Sequence, residues 1–153
     1  MKTLLIVAHV PSENTQLMVN AVLKGAQHPD IEQVQTRWIP PLEATAEDVL
    51  ACDGIIMGTT ENLAYMNGAL KIFFDRCYYP CLEVKLGLPC ALYVRAGNYC
   101  TGTCRAVESI CTGLRWNWIH SPLVCRGDWQ TTFLDQCEEL GMTMAAGLDV
   151  GRY

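Results

Sequence analysis

Short apolar runs alternate with segments of helical periodicity along the whole chain. The apolar runs predict five strands, at about 3–8, 32–38, 53–60, 89–97 and 118–125. Apolar residues at helical spacing, or a recognisable N-cap, predict five helices at about 15–27, 46–51, 68–79, 103–114 and 131–148. Pro80 is expected to end the third helix, and the stretch 61–67 is expected to be an irregular loop.

The order of these elements favours parallel βαβ units with right-handed crossovers. The run at 53–60 is apolar almost throughout, which is typical of a strand buried on both faces of a central parallel sheet. We therefore predict a single α/β domain over residues 1–153, a doubly wound sheet with helices on both faces. Ligands of such sheets bind outside the carboxyl ends of the strands. The loops after the first, third and fourth strands should therefore carry the chemistry.

The composition narrows the range of partners. Half of the residues are hydrophobic, and 11 basic against 16 acidic residues leave a net charge of −5. No lysine- or arginine-rich run stands out, which argues against nucleic acid or an anionic membrane surface as the partner. A small anionic ligand stays compatible, because backbone N–H groups bind anions without basic side chains. The apolar run at the start is too short for a signal peptide or a membrane span, so we expect a cytoplasmic protein.

Nine cysteines are scattered along the chain. An odd number of cysteines without an export signal predicts free thiols, most of them small core residues. Cys100 and Cys104 lie beside the loop after the fourth strand, where a redox dithiol is one alternative. Cys77 and Cys81 could join that pair in a four-thiolate zinc site. The two pairs follow different strands, however, so no metal site is expected.

The loop after the first strand is rich in short polar residues. Ser12, Asn14 and Thr15 lie where a predicted helix begins, and the free N–H groups and dipole of a helix N-terminus attract anions. These residues form a candidate phosphate cradle that needs no lysine. The alternative is an ordinary helix cap, with Ser12 or Asn14 at the N-cap and Gln16 near the capping-box position.

The loops after the third and fourth strands mix polar and apolar residues. The loop after the third strand suits a flat aromatic ligand, with backbone amides for its polar edge and Leu63 and Tyr65 for its faces. Asn98 and Tyr99 follow the fourth strand, where a second wall of the same pocket would lie. No lysine follows Gly102 in this loop, which argues against a P-loop for nucleoside triphosphates.

Three stretches of the sequence resemble the flavodoxin-like flavoproteins, in particular the NAD(P)H-dependent FMN reductases and quinone reductases. The stretch KTLLIVAHVPSENTQLM is similar to their first strand and phosphate loop, and PCALYVRAGNYCTGT to their fourth strand and flavin-contacting loop. The most specific match is IIMGTTENLAYMNGALKIFFDR, which is similar to their third strand and flavin loop. The resemblance implies a flavodoxin-like five-stranded parallel sheet in the order 2-1-3-4-5.

The resemblance also implies an FMN site, residue by residue. The phosphate would be held by Ser12, Asn14 and Thr15. One side of the flavin would be lined by Thr59, Thr60, Glu61, Asn62, Leu63 and Tyr65. The other side would be lined by Ala96, Gly97, Asn98 and Tyr99. No catalytic side chain is expected, because a bound flavin itself takes up hydride or electrons.

The function that the resemblance implies is an FMN-dependent oxidoreductase, which passes electrons from NAD(P)H to a quinone or another small acceptor. One alternative is a flavodoxin-type electron carrier that serves a redox protein partner. Another is a flavodoxin fold without cofactor that acts by interaction. A homodimer is left open, and so is redox activity of Cys100 and Cys104.

Overall fold

The computed structural model describes all residues of the chain, 1–153. Its strands are β1 (Lys2–Ala8), β2 (Val34–Ile39), β3 (Gly54–Asn62), β4 (Tyr65–Met66), β5 (Pro89–Ala96), β6 (Asn117–Trp118) and β7 (Leu123–Arg126). Its helices are α1 (Glu13–Ala26), α2 (Ala46–Ala51), α3 (Gly68–Cys81), α4 (Thr101–Gly113) and α5 (Thr132–Asp149). Every predicted helix and strand is present, with ends that differ by at most a few residues.

The parallel strands form one sheet in the order β2-β1-β3-β5-β6, and β7 also pairs with β5. Asn117 of β6 lies opposite Pro89, at the start of β5, whereas Leu123 of β7 lies opposite Tyr93, further along it. β6 and β7 are thus two halves of the predicted fifth strand, and the predicted order 2-1-3-4-5 is confirmed. Pro122 lies between the halves and has no backbone N–H to donate, which explains the break.

Alternate side chains of the central strands enter two separate cores. Leu5 and Val7 of β1 pack with side chains of α2, α3 and α4 on one face of the sheet. Leu4 and Ile6 pack with side chains of α1 and α5 on the other face. Both faces of β1 are therefore buried, which is why its sequence is continuously apolar and does not alternate. No helix of the structure combines the length and the apolar character that crossing a membrane would require.

Helices α1 and α5 approach each other closely at two glycines. A Cβ added to Gly25 would lie 1.8 Å from the carbonyl oxygen of Glu138, and one added to Gly141 would lie 2.1 Å from that of Val22. Each helix thus presents a glycine to the backbone of the other, an approach that a side chain would prevent. This contact fixes α1 against the sheet and so sets the position of its N-terminus at the sheet edge.

The structure corrects two expectations about the segment between β3 and β5. The stretch 61–67 is not an irregular loop, because β3 extends to Asn62 and pairs with Tyr65 of β4 in an antiparallel hairpin. Helix α3 does not stop before Pro80 but continues to Cys81. A proline in the last turn of a helix removes a single N–H and leaves the earlier turns intact. Thr45, the predicted cap of α2, is confirmed as its N-cap.

The nine cysteines are all free thiols, as predicted. Eight of them are buried, and Cys104 is the one with intermediate exposure.

Candidate functional site

Four loops meet at the carboxyl edge of the parallel sheet. β1, β3, β5 and β7 run in the same direction, so the segments that follow them leave the sheet at the same edge. Two sets of hydrogen bonds connect these segments. The N–H of His9 donates to the carbonyl of Gly58 at 3.0 Å, and the N–H of Gly127 donates to the carbonyls of Ala96 at 3.0 Å and Gly97 at 2.9 Å. The three loops predicted from the sequence therefore share one surface.

The loop after β1 closes as a capping box. Ser12 is the N-cap of α1, and its Oγ accepts the N–H of Thr15 at 3.3 Å. In return, Thr15 Oγ1 accepts the N–H of Ser12 at 3.0 Å and donates to the Ser12 carbonyl at 3.0 Å. The predicted cap at Ser12 is confirmed, but its reciprocal partner is Thr15, not Gln16. The Thr15 hydroxyl is buried and used inside the box, so it shapes the loop from within.

Replacing Ser12 by alanine should lower the free energy of unfolding by about 1 kcal/mol, because an N-cap bond is lost. Asn14→Ala should change that free energy by less than about 0.5 kcal/mol, since the Asn14 side chain is exposed and makes no protein hydrogen bond. Urea denaturation of both variants measures the difference. A loss of equal size in the two variants would contradict the assignment of Ser12 as the capping residue.

The first turn of α1 keeps two backbone donors free. The N–H groups of Glu13 and Asn14 precede the first intrahelical bond, and no loop carbonyl accepts them. Together with the helix dipole, these free groups favour an anion at this position. No charge comes from His9, because burial lowers the pKa of its imidazole and keeps it neutral near pH 7. Any anion at this turn would therefore be held by backbone groups and not by a cationic side chain of the same loop.

The β3–β4 hairpin has an unusual tip. Leu63 and Ala64 both have positive φ, 54° and 64°, as the two central residues of a type I′ turn require. Asparagine and glycine normally fill these positions, and other residues are strained there. The Glu61 carboxylate holds the turn by accepting the N–H of Ala64 at 2.7 Å. The Leu63 side chain, at 99% exposure, points into solvent.

A network of polar side chains supports the hairpin from below. Thr59 is buried, and its Oγ1 accepts the N–H of Asn67 at 3.0 Å. The Asn67 side chain caps α3 by accepting the N–H of Ala69 at 2.8 Å and donates to Asn62 Oδ1 at 3.1 Å. The Thr60 hydroxyl donates to the same Asn62 oxygen. The loop therefore arrives at the edge with a fixed shape.

The loop after β5 lies against this hairpin. A Cβ added to Gly102 would lie 2.2 Å from the carbonyl oxygen of Ala64, so the hairpin tip rests on the first turn of α4. This contact explains why residue 102 is a glycine, because a side chain there would collide with the hairpin. Just before it, Gly97 and Asn98 are exposed, and the Tyr99 side chain is 77% exposed. Leu63, Tyr65 and Tyr99 thus present apolar side chains around the same part of the edge.

The predicted site residues fall into three groups by exposure. Those exposed at the edge are Ser12, Asn14, Asn62, Leu63, Tyr65, Gly97, Asn98 and Tyr99. Those of intermediate exposure are Thr60 and Glu61. Those buried beneath the loops are Thr15, Thr59 and Ala96. The buried residues shape the loops, whereas the exposed ones are accessible to a ligand, and the side chains of Ser12 and Asn62 also form hydrogen bonds within the protein.

Sequence reasoning missed the loop after β7. The Arg95 guanidinium donates to the carbonyls of Ala96 at 2.7 Å and Cys125 at 3.0 Å, and it lies over the rings of Trp129 and Phe133. These contacts join the ends of β5 and β7. Arg126, the last residue of β7, is exposed and adds a cation to the edge. Ligands of parallel sheets bind outside the carboxyl ends of the strands, and this loop also follows a parallel strand, so the same rule could have identified it.

The carboxyl edge is an open surface. The largest surface cavity, of about 480 Å³, lies elsewhere, between α1 and α5, and is lined mainly by polar and charged side chains. None of the surface cavities is lined by a predicted site residue. A ligand at the edge would be held by protruding loops and not inside a closed pocket.

Proteins of known structure and sequence share this architecture, although no family model matches the chain. A flavodoxin of Aquifex aeolicus is 32% identical over 75 residues, which are 49% of this chain and 40% of that relative's length. The structure of oxidised flavodoxin 1 from Bacillus cereus matches with a TM-score of 0.79 at 13% identity, over 95% of this chain and 98% of that one. The flavodoxin-type WrbA-like protein from Agrobacterium tumefaciens matches with a TM-score of 0.75 at 14% identity, over 100% of both chains.

These matches confirm the predicted flavodoxin-like α/β fold. The two structural matches extend along the whole sheet and its helices, and the parallel order β2-β1-β3-β5-β6 is that of a doubly wound flavodoxin-type sheet. The sequence match to the Aquifex flavodoxin covers about half of the chain.

Proposed function

We propose that the chain binds FMN at the carboxyl edge of the sheet and acts as a flavodoxin-type electron-transfer protein. The observation that carries this proposal is the pairing of two features on one edge. Free amides of Glu13 and Asn14 suit a phosphate. The exposed side chains of Leu63, Tyr65 and Tyr99 suit the faces of a flat ring system.

The residues at the edge divide into two parts under this proposal. The phosphate is held by the backbone amides of Glu13 and Asn14, by the Ser12 hydroxyl and by the Asn14 side chain. Leu63 and Tyr65 on the hairpin and Tyr99 on the loop after β5 cover the ring and exclude water from it. Backbone groups near Asn62 and Asn98 meet the polar edge of the ring. Bound FMN would supply the electron uptake and release, and the chain would position it and tune its potential.

A carrier role fits the open edge better than a reductase role does. The exposed Leu63 and Tyr99 side chains lie at the rim of the proposed ring site, where they suit contact with the surface of a protein as well as with the ring. The names of the similar proteins from Aquifex and Bacillus also point to flavodoxins. The NAD(P)H-dependent reductase is the second candidate, favoured by the resemblance of residues 55–76 to the third strand and flavin loop of the FMN and quinone reductases.

Flavin titration tests the proposal directly. We expect the purified protein to quench FMN fluorescence, and to bind FMN about tenfold or more tightly than riboflavin, because charge-assisted hydrogen bonds to the phosphate are lost with riboflavin. Riboflavin has the same ring and no phosphate, so it isolates the contribution of the first turn of α1. A protein that binds neither flavin would overturn the proposal in favour of an interaction protein without cofactor.

Rapid mixing separates the carrier from the reductase. We expect NADH and NADPH to leave the flavin oxidised over many seconds, while dithionite reduces it in two resolved one-electron steps. Rapid bleaching of the flavin by either nucleotide would instead establish the reductase.

A further inference from the structure

We propose that Cys100 and Cys104 form a reversible disulfide at the N-terminus of α4, which gives the chain a two-electron thiol–disulfide couple of its own. The proposal does not depend on FMN binding. It rests on the distance between the two sulfurs, on the backbone between them, and on the difference in their access to solvent.

The two sulfurs are already in contact. Cys100 Sγ lies 3.4 Å from Cys104 Sγ, and a disulfide needs about 2.05 Å. The N–H of Cys104 donates to the carbonyl of Cys100 at 2.9 Å, so the backbone between them is one helical turn. Helix geometry puts the Cα atoms of residues four apart at about 6 Å, inside the range of about 4.4–6.8 Å that disulfides span. Rotation of the two side chains, together with a local adjustment at Cys100, would close the bond, since Cys100 is the N-cap with φ −133° and lies outside the regular helix.

Cys100 packs in the core on this face of the sheet, but its thiol does not serve the helix that it begins. It is the N-cap of α4, a place where serine, threonine, asparagine or aspartate would accept an N–H of the first turn. Cys100 makes no such bond, and its sulfur is directed to Cys104 instead. The pair is thus arranged for contact between sulfurs and not for capping the helix.

The two thiols differ in access to solvent, which fixes the order of the reaction. Cys104 is partly exposed and Cys100 is buried. Burial raises the pKa of the Cys100 thiol to about 12, with its hydrogen bond to Cys104 adding to the effect. Cys104 is therefore the thiol that meets a reagent, and Cys100 is the one that resolves the product.

A low-molecular-weight disulfide is the oxidant class that this order accepts. The Cys104 thiol loses its proton and attacks one sulfur of the reagent, forming a mixed disulfide and releasing one reagent thiol. The Cys100 thiol then loses its proton and attacks Cys104 Sγ, releasing the second reagent thiol. In total two protein thiols are oxidised by two electrons, and one reagent disulfide is reduced to two thiols.

The chain contains a matched control for this proposal. Cys77 and Cys81 have the same spacing, within α3, but both are buried, no hydrogen bond joins their sulfurs, and Cys81 Sγ is directed to the carbonyl of Ala46 at 4.0 Å. Trypsin cuts after arginine and lysine, so it releases Cys100 and Cys104 together in the peptide 96–105 and Cys77 and Cys81 together in the peptide 77–85. Each pair can therefore be followed separately in the same digest.

The experiment incubates the reduced, folded protein with mixtures of oxidised and reduced glutathione, followed by acid quenching, alkylation and digestion. We expect peptide 96–105 to carry no alkyl groups after oxidation and to be two hydrogen atoms lighter than its reduced, unalkylated form. Peptide 77–85 should be fully alkylated. Reduced thioredoxin or dithiothreitol should restore both thiols. The Cys100→Ser variant should instead accumulate the glutathione adduct on Cys104, because the resolving thiol is missing.

Three outcomes would overturn the proposal. One is a peptide 96–105 that keeps both free thiols, and another is a stable glutathione adduct on Cys104 in the protein without substitutions. The third is equal oxidation of peptides 96–105 and 77–85, which would mean that the protein had opened and that spacing alone decided the reaction. A circular dichroism spectrum that is unchanged by oxidation confirms that the fold is intact.

Discussion

Replacing Gly25 by alanine should destabilise the fold by about 3 kcal/mol, at the upper end of the range for overpacked cores. The added methyl group would lie 1.8 Å from the carbonyl oxygen of Glu138, 2.8 Å from its carbonyl carbon and 3.0 Å from the amide nitrogen of Met142. All three atoms belong to the backbone of α5, so no side-chain rotation relieves the overlap. Helix α1 must move away from α5, and the core around Val22 loses contacts.

Gly68→Ala provides the matched control, because it is the same substitution in another helix. No atom lies within 4 Å of a Cβ added at Gly68. Alanine there should leave the free energy of unfolding unchanged or raise it by up to about 1 kcal/mol, since alanine favours helix more than glycine does. Urea denaturation of the two variants measures the difference. Similar stabilities would show that α1 and α5 are not held at this close approach.

The parallel sheet and the helices could be predicted because burial leaves a plain signal in the sequence, whereas the strand order came from the resemblance to the flavodoxin-like proteins. Ile55, Ile56 and Met57 are all fully buried, and such continuously apolar strands occur where helices cover both faces of a parallel sheet. Alternation with helical segments then restricts the connections to right-handed crossovers. The break in the fifth strand was harder to predict, because Trp118 and Val124 are apolar on either side of Pro122 and so suggest one continuous strand.

The hairpin tip could not be predicted, because its turn residues carry none of the usual signals. A two-residue type I′ turn is normally marked by asparagine and glycine, and here the positions are Leu63 and Ala64. A local hydrogen bond to the Glu61 carboxylate and the close approach of Gly102 from α4 hold the conformation instead. The approach of Gly102 is not visible before the two loops come together.

The candidate site was predictable in location more than in detail. The carboxyl ends of parallel strands lie at one edge of the sheet, which placed three loops together. This rule could not say which hydroxyls form hydrogen bonds within the protein and which stay available to a ligand. Thr15 and Thr59 looked like ligand donors and are buried hydrogen-bonding partners of their own loops. What stays free for a phosphate is mainly backbone, at Glu13 and Asn14, and backbone donors leave no residue signature in a sequence.

Replacing Glu13 by proline should weaken FMN binding about tenfold or more, the effect of losing one hydrogen bond to a charged group, and should leave the fold intact. Proline has no N–H, so the substitution deletes one of the two free amides proposed to hold the phosphate. Glu13 is the first residue of α1, a position where proline is well tolerated. Ser12 before it is extended, with φ −148° and ψ 168°, as a residue before proline prefers. The Ser12–Thr15 capping box is untouched.

Glu13→Gln is the control for the charge that this substitution also removes. Glutamine keeps the amide donor and loses the carboxylate, so it should bind FMN as tightly as the original chain or more tightly, because repulsion of the phosphate is removed. Fluorescence titrations of both variants with FMN and with riboflavin measure the difference. Glu13→Pro should lose affinity for FMN and keep its affinity for riboflavin, which has no phosphate. Equal losses for the two flavins, with unchanged urea denaturation, would mean that the first turn of α1 does not hold the phosphate.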